Sequence, residues 1–285
     1  MEFIFKTPCV YDGDGFGCAS FGFSGAPDPA KEGIRKFTNV PAGQYFTGTL
    51  DELLEKIPTK SENGPWQAGI VLFGNCGKEN AFVRRLSEKT GCPLAGGAAA
   101  CDPVNGKSGL VAGFSQAAVY MICDPAKTVT VEGRNIHTNL LGEHKIGFTD
   151  PRILETIDGE DALTWYTAKR REYGFSEKDF EHMTLSDLNN INAHMSVSDG
   201  RLVSGRDLCE TMILRYVKPG DVYPQMKAFY DDEDAIVFGC AGLKGILEQD
   251  IITAGTGLFM FGEVATLDGI SEFGNLMLSK IIIKG

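Results

Sequence analysis

The spacing of apolar positions marks the first elements. Leu50, Leu53, Leu54 and Ile57 fall on one helical face. Thr49 stands at the N-cap with Glu52 three residues on, a capping-box pattern, and Pro58 ends the run. Residues 68–73 are continuously apolar, the mark of a strand covered on both faces. A second helix is predicted over 79–90, with Phe82, Val83 and Leu86 on one side and Gly91 and Pro93 as stop signals. Residues 93–100 read as a strand of small side chains, 110–123 as one or two further strands, and 3–6 and 19–23 as short strands. Residues 124–158 carry several short β-like segments, and 161–173 form a helix ending at Gly174. Strands follow at 191–197 and 211–217, with Asp199-Gly200 as a turn between them. The acidic run 231–234 reads as a solvated loop.

The pattern repeats. Ala68-Gly69-Ile70-Val71-Leu72-Phe73-Gly74, a helix and Leu94-Ala95-Gly96-Gly97 are matched by Asp234-Ala235-Ile236-Val237-Phe238-Gly239, a helical segment with Leu243, Ile246, Leu247 and Ile251, and Phe259-Met260-Phe261-Gly262. Phe73 lies 24 residues before Gly97, and Phe238 lies 24 before Gly262. A turn and a strand follow each unit, and a helix precedes each, near 50–57 and 161–173; the second half has an extra β-rich insertion over roughly 176–230. The expected fold is α/β and two-lobed, with pseudo-repeated strand-helix-strand-strand units and mixed sheets. The expected division is 1–155 and 156–285.

Composition narrows the function classes. The chain has 285 residues and a net charge of −11. It lacks the basic face of a nucleic-acid binder and disfavours an anionic membrane, so neither is an expected partner. The N-terminus Met1-Glu2-Phe3-Ile4-Phe5-Lys6 reads as too short and too acidic for a signal peptide, and no apolar run reaches membrane-spanning length, so no transmembrane helix is expected. Eight cysteines form no Cys-x-x-Cys pair, so a cytoplasmic protein with free thiols is expected.

Residues 235–242 read Ala-Ile-Val-Phe-Gly-Cys-Ala-Gly, 257–264 read Gly-Leu-Phe-Met-Phe-Gly-Glu-Val, and 273–278 read Phe-Gly-Asn-Leu-Met-Leu. Together they resemble the C-terminal domain of the FIST family, and Gly159-Glu160-Asp161-Ala162 with Tyr166 resembles that family's helix start. The N-terminal FIST domain is matched more loosely over 49–122, so the likeness covers 49–285. The chain departs from the pattern at Leu243, Asp161 and Leu276-Met277, as a divergent stand-alone member would. The resemblance implies a cytoplasmic sensory module for signal transduction. Amino acids or related metabolites are its implied ligands, some members bind haem, and a separate output protein is its implied partner.

The candidate ligand-binding residues are Glu263, Gly262, Cys240, Gly239, Cys76 and Gly97. Glu263, at the end of a buried strand, could bind an ammonium group or act as an acid or base; the plainer reading is a carboxylate bonding backbone N–H groups of the adjoining loop. Alternation along one strand puts Phe259, Phe261 and Glu263 on one face, opening into a cavity. Cys76 and Cys240 follow equivalent strands, where open α/β sheets bind ligands; small buried thiols are the alternative. The glycines would let backbone approach a ligand. An enzyme using Glu263 and a cysteine, or a haem-based gas sensor, are the alternative functions, with His194 the first axial candidate. No metal site is expected: Asp12-Gly13-Asp14-Gly15 places Phe16 and Phe23 where a calcium loop needs oxygen ligands. Residues 101–108 are explained better by a turn at Asn105-Gly106 than by a phosphate loop.

Overall fold

Two sheets with the same internal wiring face each other. The computed structural model describes residues 2–8, 16–22, 41–74, 78–99, 110–111, 117–176, 182–231, 235–240, 242–243, 256–260 and 262–285. In the first sheet the order is Ile270–Gly274, Glu263–Leu267, Leu94–Ala99, Ala68–Gly74, Ala117–Ile122, Gly43–Gly48. In the second it is Thr256–Met260, Ala235–Cys240, Met277–Lys284, Thr128–Asn135. Ala68–Gly74 runs parallel to Leu94–Ala99 and antiparallel to Ala117–Ile122. Ala235–Cys240 likewise runs parallel to Thr256–Met260 and antiparallel to Met277–Lys284. Both apolar strands are interior, as their lack of alternation requires.

The inner faces meet in one core. Ile70, Leu72, Ala95 and Ala118 from the first sheet pack with Ile236, Phe238, Met260 and Ile281 from the second. The outer face of the first sheet, Val71, Phe73 and Val119, is covered by helices Leu50–Lys56 and Glu79–Thr90 through Leu53, Ile57, Phe82 and Leu86. The outer face of the second, Val237, Leu278 and Ile282, is covered by helix Pro219–Tyr230 through Val222, Met226 and Phe229. The result is a helix–sheet–sheet–helix stack, an α/β fold with mixed sheets.

The faces correct the sequence alignment of the repeats. Phe73 points to the helices and Phe238 to the facing sheet, so the counterpart of Phe238 is Leu72. A one-residue slip exchanges the two faces of a strand, and burial outranks letter identity. Gly97 pairs in register with Leu72, and Leu258 with Phe238. The 24-residue spacings therefore join positions that are not equivalent.

The helix preceding the second unit is Pro219–Tyr230, not the one near 161–173. Pro219 and Pro224 obscure it in the sequence, although Pro at the first helical turn costs no hydrogen bond. Helix Ala162–Glu172 belongs instead to a lobe inserted between Thr128–Asn135 and Pro219–Tyr230, wider than the expected 176–230. This lobe, over 139–217, has its own six-stranded sheet, ordered Glu160–Asp161, Thr156–Ile157, Asn139–Gly147, Thr211–Tyr216, Met183–Ser186, Asn192–Ala193. Its core gathers Ile157, Trp165, Tyr166, Met183, Leu202 and Leu214. The Asp199-Gly200 turn closes a hairpin between Met195–Ser198 and Arg201–Ser204, both residues at positive φ. The short β segments expected in 124–158 include two long strands, Thr128–Asn135 and Asn139–Gly147.

The expected division at 155/156 falls inside the lobe sheet, where Thr156 pairs with Gly147. Each sheet of the stack draws strands from both sides of it: Glu263 pairs with Gly97, and Met277 with Asn135. Strands Glu2–Pro8 and Phe16–Gly22 form a hairpin that also pairs with Leu110–Val111. Among the described residues no helix is long and apolar enough to cross a membrane.

Candidate functional site

The chain leaves the second sheet at Met260 and enters the first at Glu263. Gly262, at φ +99°, makes the turn. The five residues 259–263 are therefore not one strand, and the alternation expected to place Phe259, Phe261 and Glu263 on a common face does not carry across the break. Phe261 and the side chain of Phe259 lie outside the described residues, as do Cys76, residues 244–251 of the expected second helix, residues 101–108 and residues 12–15.

Glu263 is fully buried. Its Oε1 accepts the backbone N–H of Met277. Its Oε2 accepts no hydrogen bond among the described residues. Cys240 lies beside it, in register with Met260 at the end of its strand, with backbone N–H groups of Leu276, Gly242 and Gly262 close to the sulfur. Burial holds the Glu263 carboxyl well above the ordinary carboxylate range, against the smaller opposing pull of the Met277 N–H and the Cys240 thiol. Burial, then the neighbouring Glu263, pushes the Cys240 thiol up to about 12. The Tyr230 hydroxyl donates to the Phe238 carbonyl at 3.3 Å and feels both groups.

Four of the sequence candidates thus come together with Glu263: Gly262, Gly97, Cys240 and Gly239. The glycines serve chain-to-chain contact. A Cβ on Gly97 would lie 2.4 Å from the Gly262 carbonyl oxygen, which accepts the Ala98 N–H at 2.9 Å. A Cβ on Gly262 would lie 2.4 Å from the Phe273 ring. Gly239 sits between Phe259 and Leu278 in register.

The segment 273–277 ties this centre to the lobe. Asn275 N–H donates to the Asn192 carbonyl at 3.0 Å, and Asn192 Nδ2 donates to the Leu276 carbonyl at 3.2 Å. Leu276 sits at φ +56°, which presents the next N–H, that of Met277, to Glu263. Asn192 also bonds Asn135 and Ser186 and reaches His137. His194 lies between two short lobe strands, its N–H on Asn275 Oδ1 and its carbonyl accepting from Gly205.

Beside it lies a buried ionic cluster. Arg206 Nη2 is 3.1 Å from Glu272 Oε2 and 3.0 Å from Asp187 Oδ2, and all three side chains are nearly inaccessible. Glu272 Oε1 also accepts from Arg84 Nη2, from Arg84 Nε at 2.9 Å and from Asn189 Nδ2 at 2.8 Å. Despite its burial, Glu272 stays below the usual range because Arg206, Arg84 and Asn189 surround it; Asp187 is raised, its burial outweighing Arg206.

The sequence reading missed Arg206, Asp187, Glu272 and Asn192. Arg206, Asn189 and Arg84 reach Glu272 across 66, 83 and 188 residues, and Asn192 reaches Asn135 across 57. The local signal was the density of side-chain amides and acid in Asp187-Leu188-Asn189-Asn190-Ile191-Asn192.

Among the described residues no group of three or more His, Cys, Asp or Glu side chains is placed to hold a metal ion. The chain matches no protein-family model, and no curated protein matches it.

Proposed function

We propose that this chain is a small-ligand-binding protein of the sensory type, with Glu263 as the charged anchor of its site. The observation that carries the reading is the Glu263 carboxyl, fully buried with the Cys240 thiol beside it, with one oxygen that accepts no hydrogen bond in the geometry of the described residues. Such an atom is costly unless a ligand or a function uses it. The FIST-like text of 235–242, 257–264 and 273–278 supports the same reading, because these segments converge on that carboxyl. The ligand class is an amino acid or related amine-bearing metabolite. An ammonium group would donate to Oε2 and favour the ionised carboxylate, whose proton leaves to solvent, so that an ion pair replaces the buried neutral acid. The setting is cytoplasmic, and the signal passes to a separate output protein.

An enzyme using Cys240 as nucleophile is the weaker reading. A thiol pushed up to about 12 holds almost no thiolate at neutral pH.

Calorimetric titration with a panel of amino acids and amines tests the proposal. A binding member should release close to one proton, read from the dependence of the heat on buffer ionisation. Glu263→Gln should weaken it more than tenfold, over about 1.4 kcal/mol, and abolish proton release. No binding anywhere in the panel, or equal binding to wild type and Glu263→Gln, would refute the reading.

A further inference from the structure

We propose that the 139–217 lobe is a hinged cover over the Glu263 centre, latched shut by Arg206 and Asn189 of the lobe on Glu272 of the stack. The inference rests on the reading of Glu263 as a binding group, but its test reads the cover itself and needs no ligand.

Three observations carry it. The first is connection. The lobe leaves the stack after Ile136-His137-Thr138 and returns at Val217-Lys218, and these two crossings are adjacent, since Asn139 and Tyr216 are paired in register. Asn139 Nδ2 also donates to the Tyr216 carbonyl. Two neighbouring strand ends form the usual geometry of a hinge.

The second is the chemistry of the contact. The lobe's core is built from its own residues. The described contacts between lobe and stack are mostly polar. They include the bonds of Arg206 and Asn189 to Glu272, those of Asn192 to Asn135 and Leu276, the Asn275 bonds to Asn192 and His194, and Arg152 at 3.5 Å from Glu79. The apolar part is small: Ile191 against Ala265 and Met277. Polar contacts between large units permit relative motion, whereas a broad apolar one would not.

The third is position. Ile191 and Asn192 sit directly on Met277 and Leu276, one peptide from the Glu263 carboxyl. A buried carboxyl reached by a solute needs part of its surroundings to move, and this part is held by bonds that can be exchanged for water.

The lobe and the hairpin can be locked together. A Cβ at position 274 would lie 2.5 Å from Ile191 Cγ2, and Gly274 is not among the positive-φ glycines. The double variant Ile191→Cys, Gly274→Cys therefore places two thiols at cross-linking range. The reporters are the amides of Asn275, which donates to Asn192, and Met277, which donates to Glu263. Hydrogen exchange is followed on the full chain, with the double variant oxidised and then reduced.

Oxidation should slow both amides at least tenfold while leaving interior amides of Ala117–Ile122 unchanged. Glu272→Gln, without the cross-link, should speed the same two amides at least tenfold with the same interior control. Equal exchange in the oxidised and reduced forms overturns the proposal, as does a change shared by all amides, which marks global stability alone. Failure of the two thiols to join overturns the closed arrangement. If Glu272→Gln does not fold, the oxidised and reduced comparison decides.

Discussion

Glu263 shows how burial alone sets the chemistry of one side chain. In the unfolded chain its carboxyl ionises around the ordinary value of 4.5; in the fold burial keeps the proton on well beyond that. The folded state then holds more protons than the unfolded state above that pH, so this group makes stability fall as pH rises. The effect is absent below the unfolded value. It grows by at most about 1.4 kcal/mol per pH unit until the buried group itself ionises. Glu263→Gln keeps an acceptor for Met277 and removes the titration. Unfolding free energies from denaturant curves should therefore show wild type losing stability relative to the variant between about pH 5 and pH 8. Parallel curves over that window would show that Glu263 is already ionised in the fold.

At the scale of elements, the helix Leu50–Lys56 illustrates how few residues need to agree. It has seven residues, too few to stand alone in water. Thr49 accepts the Glu52 N–H at 3.2 Å and Glu52 accepts the Thr49 N–H at 3.0 Å, closing the capping box. Leu50, Leu53 and Leu54 bury against the first sheet. Thr49→Ala should lower the unfolding free energy by about 1 kcal/mol, seen as a shift in denaturant midpoint with unchanged slope. A changed slope would mean that the helix detaches rather than frays. Helix Pro219–Tyr230 does the same work for the second sheet with no side-chain cap, held by Val222, Met226 and Phe229. Tertiary burial stands there in place of local signals.

For the whole molecule, the repeat is a device for covering two sheets at once. Each interior strand needs a helix on one face and the other sheet on its second face, so neither unit closes a core without its partner. The hairpin 263–274 deepens the dependence by adding the second unit's strands to the first unit's sheet. Expressed separately, 1–155 and 156–285 should fail to give dispersed amide spectra or cooperative melts. Mixing them should restore the fold if both remain soluble. A cooperative melt for 1–155 alone would mean that its inner face is satisfied without Ile236, Phe238 and Ile281.

The sequence by itself determined what local physics decides. Capping and apolar spacing placed the helices Leu50–Lys56 and Glu79–Thr90, and unbroken apolar runs marked Ala68–Gly74 and Ala235–Cys240 as interior strands. The repeated order of strands also revealed a duplicated α/β architecture, and Glu263 stood out as an acid in an apolar context. Tertiary structure decided the rest because the deciding terms are non-local. Which face Phe73 and Phe238 present depends on the opposing sheet, not on the shared letters. Whether 259–263 is one strand depends on Gly262 carrying the chain from one sheet to the other. The Arg206–Glu272–Asp187 cluster is invisible in sequence because charged residues read locally as solvated. Only folding brings together opposite charges from distant segments, which makes it possible to bury them.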